Sequence, residues 1–157
     1  PAWFGVNSRK RFRWTDALLA DSNAVLSAAV RPVKYNGPAS LIGRRVAGVL
    51  GHHYSGIDSL TTSGAIKRVD VNNFWAAMKM ISVGRVDVAI VPATVAKYFI
   101  ARNNMAGFFH FSVQPHSHYN RHFLVQHKDA TFSFLSSQVD ELMQSDNWRA
   151  IISRYGM

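Results

Sequence analysis

The chain has no cysteine, one glutamate among its nine acidic residues, and only five prolines in 157 positions. Without thiols, disulfides, cysteine-ligated zinc and thiol catalysis are excluded, while the compartment stays open because many exported proteins also lack cysteine. Long apolar runs are missing too, and nothing approaches the roughly 20 residues needed to span a bilayer as a helix. No basic, apolar, small-residue leader precedes Pro1, and the proline start leaves room for a segment removed upstream. The scarcity of acid is the largest imbalance: 18 Lys and Arg stand against those nine carboxylates, for a net charge of +9. Such a surface attracts phosphates, nucleic acid, anionic membranes or acidic ligands at modest ionic strength. The one dense basic run, Arg9-Lys10-Arg11-Phe12-Arg13-Trp14, carries no nucleic-acid fingerprint and reads first as a solvated or interdomain surface.

What is present is enough to fold. With 48% apolar and 12% aromatic residues, the chain has the size and composition of one ordinary domain with a buried core. From Arg44 to Ile100 strand and helix patterns alternate. An apolar strand, Arg45 to Leu50, is followed by a glycine turn, Gly51-His52-His53-Tyr54-Ser55, a helix, a short strand from Ile66 to Val69, and a helix running to Gly84. Phe74, Ala77, Met78 and Ile81 give that second helix one apolar face. The strand Arg85 to Pro92 leads into a helix from Pro92 to Arg102 with proline in its first turn. Phe108 to Val113 and Tyr119 to Gln126 read as two more strands, and Thr131 to Tyr155 as helix in two pieces broken near Ser145-Asp146. Asn23 to Val30 fits strand or helix by pattern, and its proline exit favours an extended connection. The fold class expected is α/β: a mostly parallel sheet flanked by helices, with C-terminal helices added. Such sheets place ligands at the carboxyl ends of their strands.

The series Leu41-Ile42-Gly43-Arg44-Arg45-Val46, the junction Ser82-Val83-Gly84-Arg85-Val86-Asp87, the segment Tyr119 to Lys128 and the closing Trp148 to Gly156 occur in order. Together they make the chain resemble the family 3 extracellular solute-binding proteins, the two-lobed periplasmic receptors of amino-acid importers. The resemblance runs from about Phe12 to Met157. It implies a periplasmic-binding-protein lobe of the second type, with residues 1–43 a remnant of the first lobe and crossover linker, 44–127 the second lobe, and 128–157 helices returning toward the first. Most of the first lobe would then be missing. The crossings between lobes are expected at Arg31 to Pro38 and near His127 to Ala130, and exchange of terminal segments between two chains would make a homodimer.

The resemblance places ligand contacts on Gly51, His52, His53, Tyr54 and Ser55, with Pro92 and Thr94 as a second wall of an interlobe cleft. Amides at a helix start can hold an anion or carbonyl oxygen there. Amino-acid-binding members often carry an aspartate where this chain has Pro92; its absence leaves a ligand ammonium without a partner and favours an acidic or neutral polar solute. The implied function is non-catalytic binding of that solute, in the periplasm, beside a membrane transporter permease and with no cofactor. A sensory ligand-binding domain is the alternative. Three others stand behind it. His116, His118, His122 and His127 invite a metal, but only Asp129 lies near them as a carboxylate. His52 or His53 with Ser55 and Asp58 would suit catalysis only with geometry that sequence does not supply. Trp3, Phe4, Phe12 and Trp14 interleaved with arginine could stack on single-stranded nucleic acid, which is not the expected partner.

Overall fold

The computed structural model describes residues 11–126 and 129–155. The Arg9-Lys10 start of the basic run, Trp3, Phe4 and His127 lie outside the described residues.

The chain divides into two compact units, one made of residues up to Asp21 and from His118 onward, the other of Ser22 to Ser117. The second unit holds the main sheet. Strands β3 (Arg45–Val49), β4 (Lys67–Val71) and β5 (Val88–Pro92) are parallel, with helices α1 (Ile57–Thr62) and α2 (Phe74–Ser82) in the crossovers. Beside β5 runs β2 (Leu19–Ala28), antiparallel to it and to β6 (Phe109–Phe111) on its other side. The order is β4-β3-β5-β2-β6, and β7 (Ser117–Arg121) also pairs with β2. Helix α3 (Ala93–Arg102) starts directly from the last residue of β5.

Both faces of this sheet are covered, which is why β3 and β5 read as nearly unbroken apolar runs rather than alternating ones. On one face Ala24, Leu26, Ala47, Ala89 and Val91 pack with Ala77, Met78 and Ile81 of α2 and Ala96 of α3. On the other, Val25, Val46, Val88 and Ile90 pack with Val33, Tyr35, Leu41, Tyr54, Ile57 and Ile66. The Asn73 side chain caps α2, accepting from the Ala76 amide at 2.8 Å.

The compact units have other bounds than the lobe divisions expected from the sequence. Residues 22–43 belong with the strands that follow, because β2 is a central strand and not a connection. The stretch Arg31 to Pro38 is no free crossing: Val33 and Tyr35 are buried, their amides donating to Ser27 Oγ and Ser112 Oγ at 3.0 and 2.9 Å. The chain passes between units at residues 21–22 and 117–118 instead. The single strand expected from Tyr119 to Gln126 is two, β7 and β8 (Leu124–Gln126).

In the first unit, β1 (Phe12–Trp14) pairs antiparallel with β8. Asp21, its side chain fully buried, is held by Arg121 at 2.7 Å and by the Tyr119 hydroxyl. Burial first, and then the Asp21 charge, push the Tyr119 phenol up to about 12. Helices α4 (Asp129–Gln144) and α5 (Asp146–Arg154) break at Ser145, whose hydroxyl accepts from the Trp148 amide. No helix among the described residues is long and apolar enough to cross a membrane.

Candidate functional site

The turn after β3 is held by a charged side chain that the sequence pattern does not single out. Arg68, the second residue of β4, has a side chain only 13% exposed. Its Nε donates to Asp70 Oδ1 at 2.8 Å and one terminal nitrogen to Asp58 Oδ1 at 2.7 Å. The other terminal nitrogen reaches the carbonyls of Val49 at 3.2 Å and His52 at 2.9 Å. A planar guanidinium presents its donors as a fixed fork, so one side chain sets β3, the turn and α1 in register. The guanidinium also lies over the Tyr54 ring, 5.2 Å from its centre. Space for this stack exists because residue 48 has no side chain: a Cβ there would come within 3.0 Å of both Arg68 Nε and Tyr54 Cε2.

Each predicted contact has a definite place. Gly51, with φ +78°, lets the turn reverse, and the His52 amide closes it on the Val49 carbonyl. His52 is exposed, its ring set edge-on to Phe74 with centres 5.5 Å apart. The His53 ring is 93% exposed and its Nδ1 is 3.2 Å from Asp58 Oδ2. Ser55 is exposed. Tyr54 differs from the others: its side chain is buried, its hydroxyl accepts from the Val49 amide at 3.2 Å, and its own amide donates to Asp58 Oδ2 at 3.0 Å. Burial raises its phenol above the usual range. This tyrosine therefore shapes the turn from beneath.

The helix-start argument is also modified. Helix α1 has six residues, its first two amides close on the Tyr54 carbonyl, and its first turn already contains the carboxylate of Asp58. The Tyr54 amide of the turn is likewise already bonded, to the Asp58 carboxylate. The Ser55 hydroxyl and the two histidine rings remain exposed in the turn.

Pro92 is buried, is the last residue of β5 and the first boundary of α3, and pairs with Asn23 of β2; Thr94 is half-buried in the first turn of α3. At this same end of the sheet His116, absent from the predicted contacts, donates its amide to the Asn23 carbonyl at 2.8 Å. Its Nδ1 shares a 2.8 Å hydrogen bond with the Tyr35 hydroxyl, and its ring lies edge-on to Tyr54, 6.1 Å between centres. Burial pushes the His116 imidazole below its ordinary value of 6.5, with Asp58 opposing. The Asn23 side chain donates to Ser117 Oγ at 2.9 Å. The carboxyl ends of β3 and β5 thus collect His52, His53, Ser55, Asn23, Ser117 and His116, a polar and aromatic surface on buried strands.

The histidines considered for metal binding are committed differently. His116 is bonded to Tyr35, His122 Nδ1 lies 2.9 Å from the Thr15 carbonyl, and His118 is exposed. Among the described residues no three His, Asp or Glu side chains gather as a metal site would need.

No family model matches the chain, and no curated protein sequence does. Solved structures do. A variant of ArgBP from T. maritima superposes with a TM-score of 0.74 at 20% identity, over 97% of this chain and 65% of that one. The GluR0 ligand-binding core from Nostoc punctiforme, in complex with L-glutamate, gives 0.74 at 12% identity, over 97% and 68%. An ancestral arginine-binding protein bound to glutamine gives 0.71 at 17% identity, over 97% and 67%. The chain spans 65% of the length of the ArgBP chain it matches. With an α/β architecture, a parallel set of strands flanked by helices, and these likenesses, the chain has the periplasmic-binding-protein fold of the second type, the one expected from its sequence.

Proposed function

We propose that this chain binds a small, amino-acid-like polar solute, acidic or neutral, without converting it. The carboxyl-end surface of β3 and β5 would make the contact, through His52, His53, Ser55 and Thr94 on an arginine-braced turn. The observation that carries the reading is this brace. Arg68 and Asp58 fix the turn backbone while leaving two imidazoles and a hydroxyl facing outward. A surface that meets a ligand without loss of its own order is what small-molecule recognition needs. Support also comes from solved structures of similar fold, bound to arginine, glutamate and glutamine. A side-chain carboxylate for a ligand ammonium is missing at Pro92, which weighs on every α-amino acid alike; the net charge of +9 and the two imidazoles of the turn then make the acidic or neutral side chain of glutamate or glutamine a better match than the cationic one of arginine. The same reading takes the protein as a periplasmic receptor serving an importer, or a shortened relative of one.

Thermal unfolding in the presence of L-glutamine, L-glutamate and L-arginine tests this. A ligand that binds only the folded chain raises the melting temperature with its concentration. The expected result is a rise with glutamine or glutamate that shrinks at least severalfold in His53→Ala and Ser55→Ala. No rise with any of the three at millimolar concentration would sink the reading.

A further inference from the structure

A second concave site lies at the opposite, amino-terminal end of the same strands. A concavity of about 180 Å3 is lined by Ala28, Arg31, Val33, Arg44, Val86 and Asp87. The register explains how residues so far apart in sequence meet. Val46 pairs with Val88, so the chain just before each of β3 and β5 shares one edge, and β2, running the other way, ends there at Ala28.

The charges in it are unequal. Asp87 is its one carboxylate, and it is already used: Oδ2 accepts from the Arg45 amide at 2.8 Å and from Arg45 Nε, while Oδ1 accepts from the other guanidinium nitrogen at 2.8 Å. Arg31 and Arg44 have no ion pair or side-chain hydrogen bond among the described residues, although both line the concavity. Two cations lining one hollow repel each other, and the Asp87 charge is held mainly by Arg45, with Arg44 adding only the smallest attraction. Behind them the wall is apolar and fixed, since Val33 and Val86 are 5% and 1% exposed. A doubly charged oxyanion offers two guanidinium forks the acceptors they lack. The volume holds one tetrahedral ion with a few waters, at roughly 30 Å3 for each water.

We infer that the Arg31–Arg44 hollow is an anion site that takes a phosphate group, either the free ion or one carried on a larger molecule. It is separate from the carboxyl-end surface and does not rest on the function proposed for that surface.

The test is calorimetric titration of the whole chain, in a phosphate-free buffer at constant ionic strength, with inorganic phosphate, glycerol phosphate and chloride in turn. Saturable one-to-one binding of phosphate is expected, with chloride inert and affinity reduced at least tenfold in the Arg31→Gln, Arg44→Gln double variant. Comparable binding of glycerol phosphate would assign the site to a phosphate on a larger molecule, and binding of the inorganic ion alone to the free ion; both support the inference. Because neither arginine side chain has a hydrogen bond or ion pair among the described residues, the double variant should keep the circular dichroism and melting temperature of the parent. His53→Ala should bind phosphate as the parent does. Absence of saturable binding, or an affinity unchanged in the double variant, would overturn it.

Discussion

Single residues at the carboxyl-end surface show what pattern reading could and could not reach. His52, His53 and Ser55 are visible in sequence because a glycine turn follows an apolar strand, and the structure leaves all three exposed. Arg68 is not visible. It occupies one position of a short alternating strand, where a basic residue ordinarily faces water, and its role comes from the missing side chain at Gly48, a neighbour only in space. His116 is a similar case, read as one of several histidines until the fold puts it against Tyr35 and Tyr54. Its imidazole has a lowered folded-state value, mainly through burial. A base that protonates less readily folded than unfolded lowers stability as pH falls, starting near the unfolded value of 6.5 and continuing down to the folded one. Urea unfolding of the parent and of His116→Gln between pH 7.5 and 5 should show it: the variant loses less stability on acidification. Equal losses would mean that His116 does not feel its surroundings in this way.

Among the elements, the alternating core was the most legible part. Strands β3, β4 and β5 and helices α2 and α3 fall close to their expected places, because glycine, proline and helix periodicity mark each boundary. Strand β2 was the hardest to place. Small residues such as Ala24 and Ser27 fit between two covered faces, and that composition has no clear period. Its position in the sheet makes it sensitive. Leu26 is wholly buried, between β5 and β6. Leu26→Ala should cost about 3 kcal/mol, the sum of lost burial and the cavity left behind. A urea midpoint shift with unchanged slope would register it, whereas a cost under about 1 kcal/mol would place β2 outside the stabilising core.

For the whole molecule, the two units differ in how they are held. Ser22 to Ser117 contains a sheet covered on both faces, with its own two apolar clusters. A fragment of residues 19–117 is therefore expected to unfold cooperatively on heating, with near-ultraviolet dichroism from Trp75 and its tyrosines; a non-cooperative melt would show that the core needs the rest of the chain. Sequence could not reveal this division. The chain leaves and rejoins the sheet unit within strands and not at turn-rich linkers, so composition does not mark the crossings.

The antiparallel placement of β2 also bears on the order of synthesis. Within the main sheet Ala24, Val25 and Leu26 are made before every other strand, and their partners Val91, Ile90 and Ala89 follow only after β3, α1, β4 and α2. At about 5–20 residues per second, the ribosome leaves this strand without its sheet for seconds. A nascent chain thus carries this central strand unpaired while β3, β4 and β5 are made, and shelter for its apolar residues over that interval becomes part of how the sheet forms.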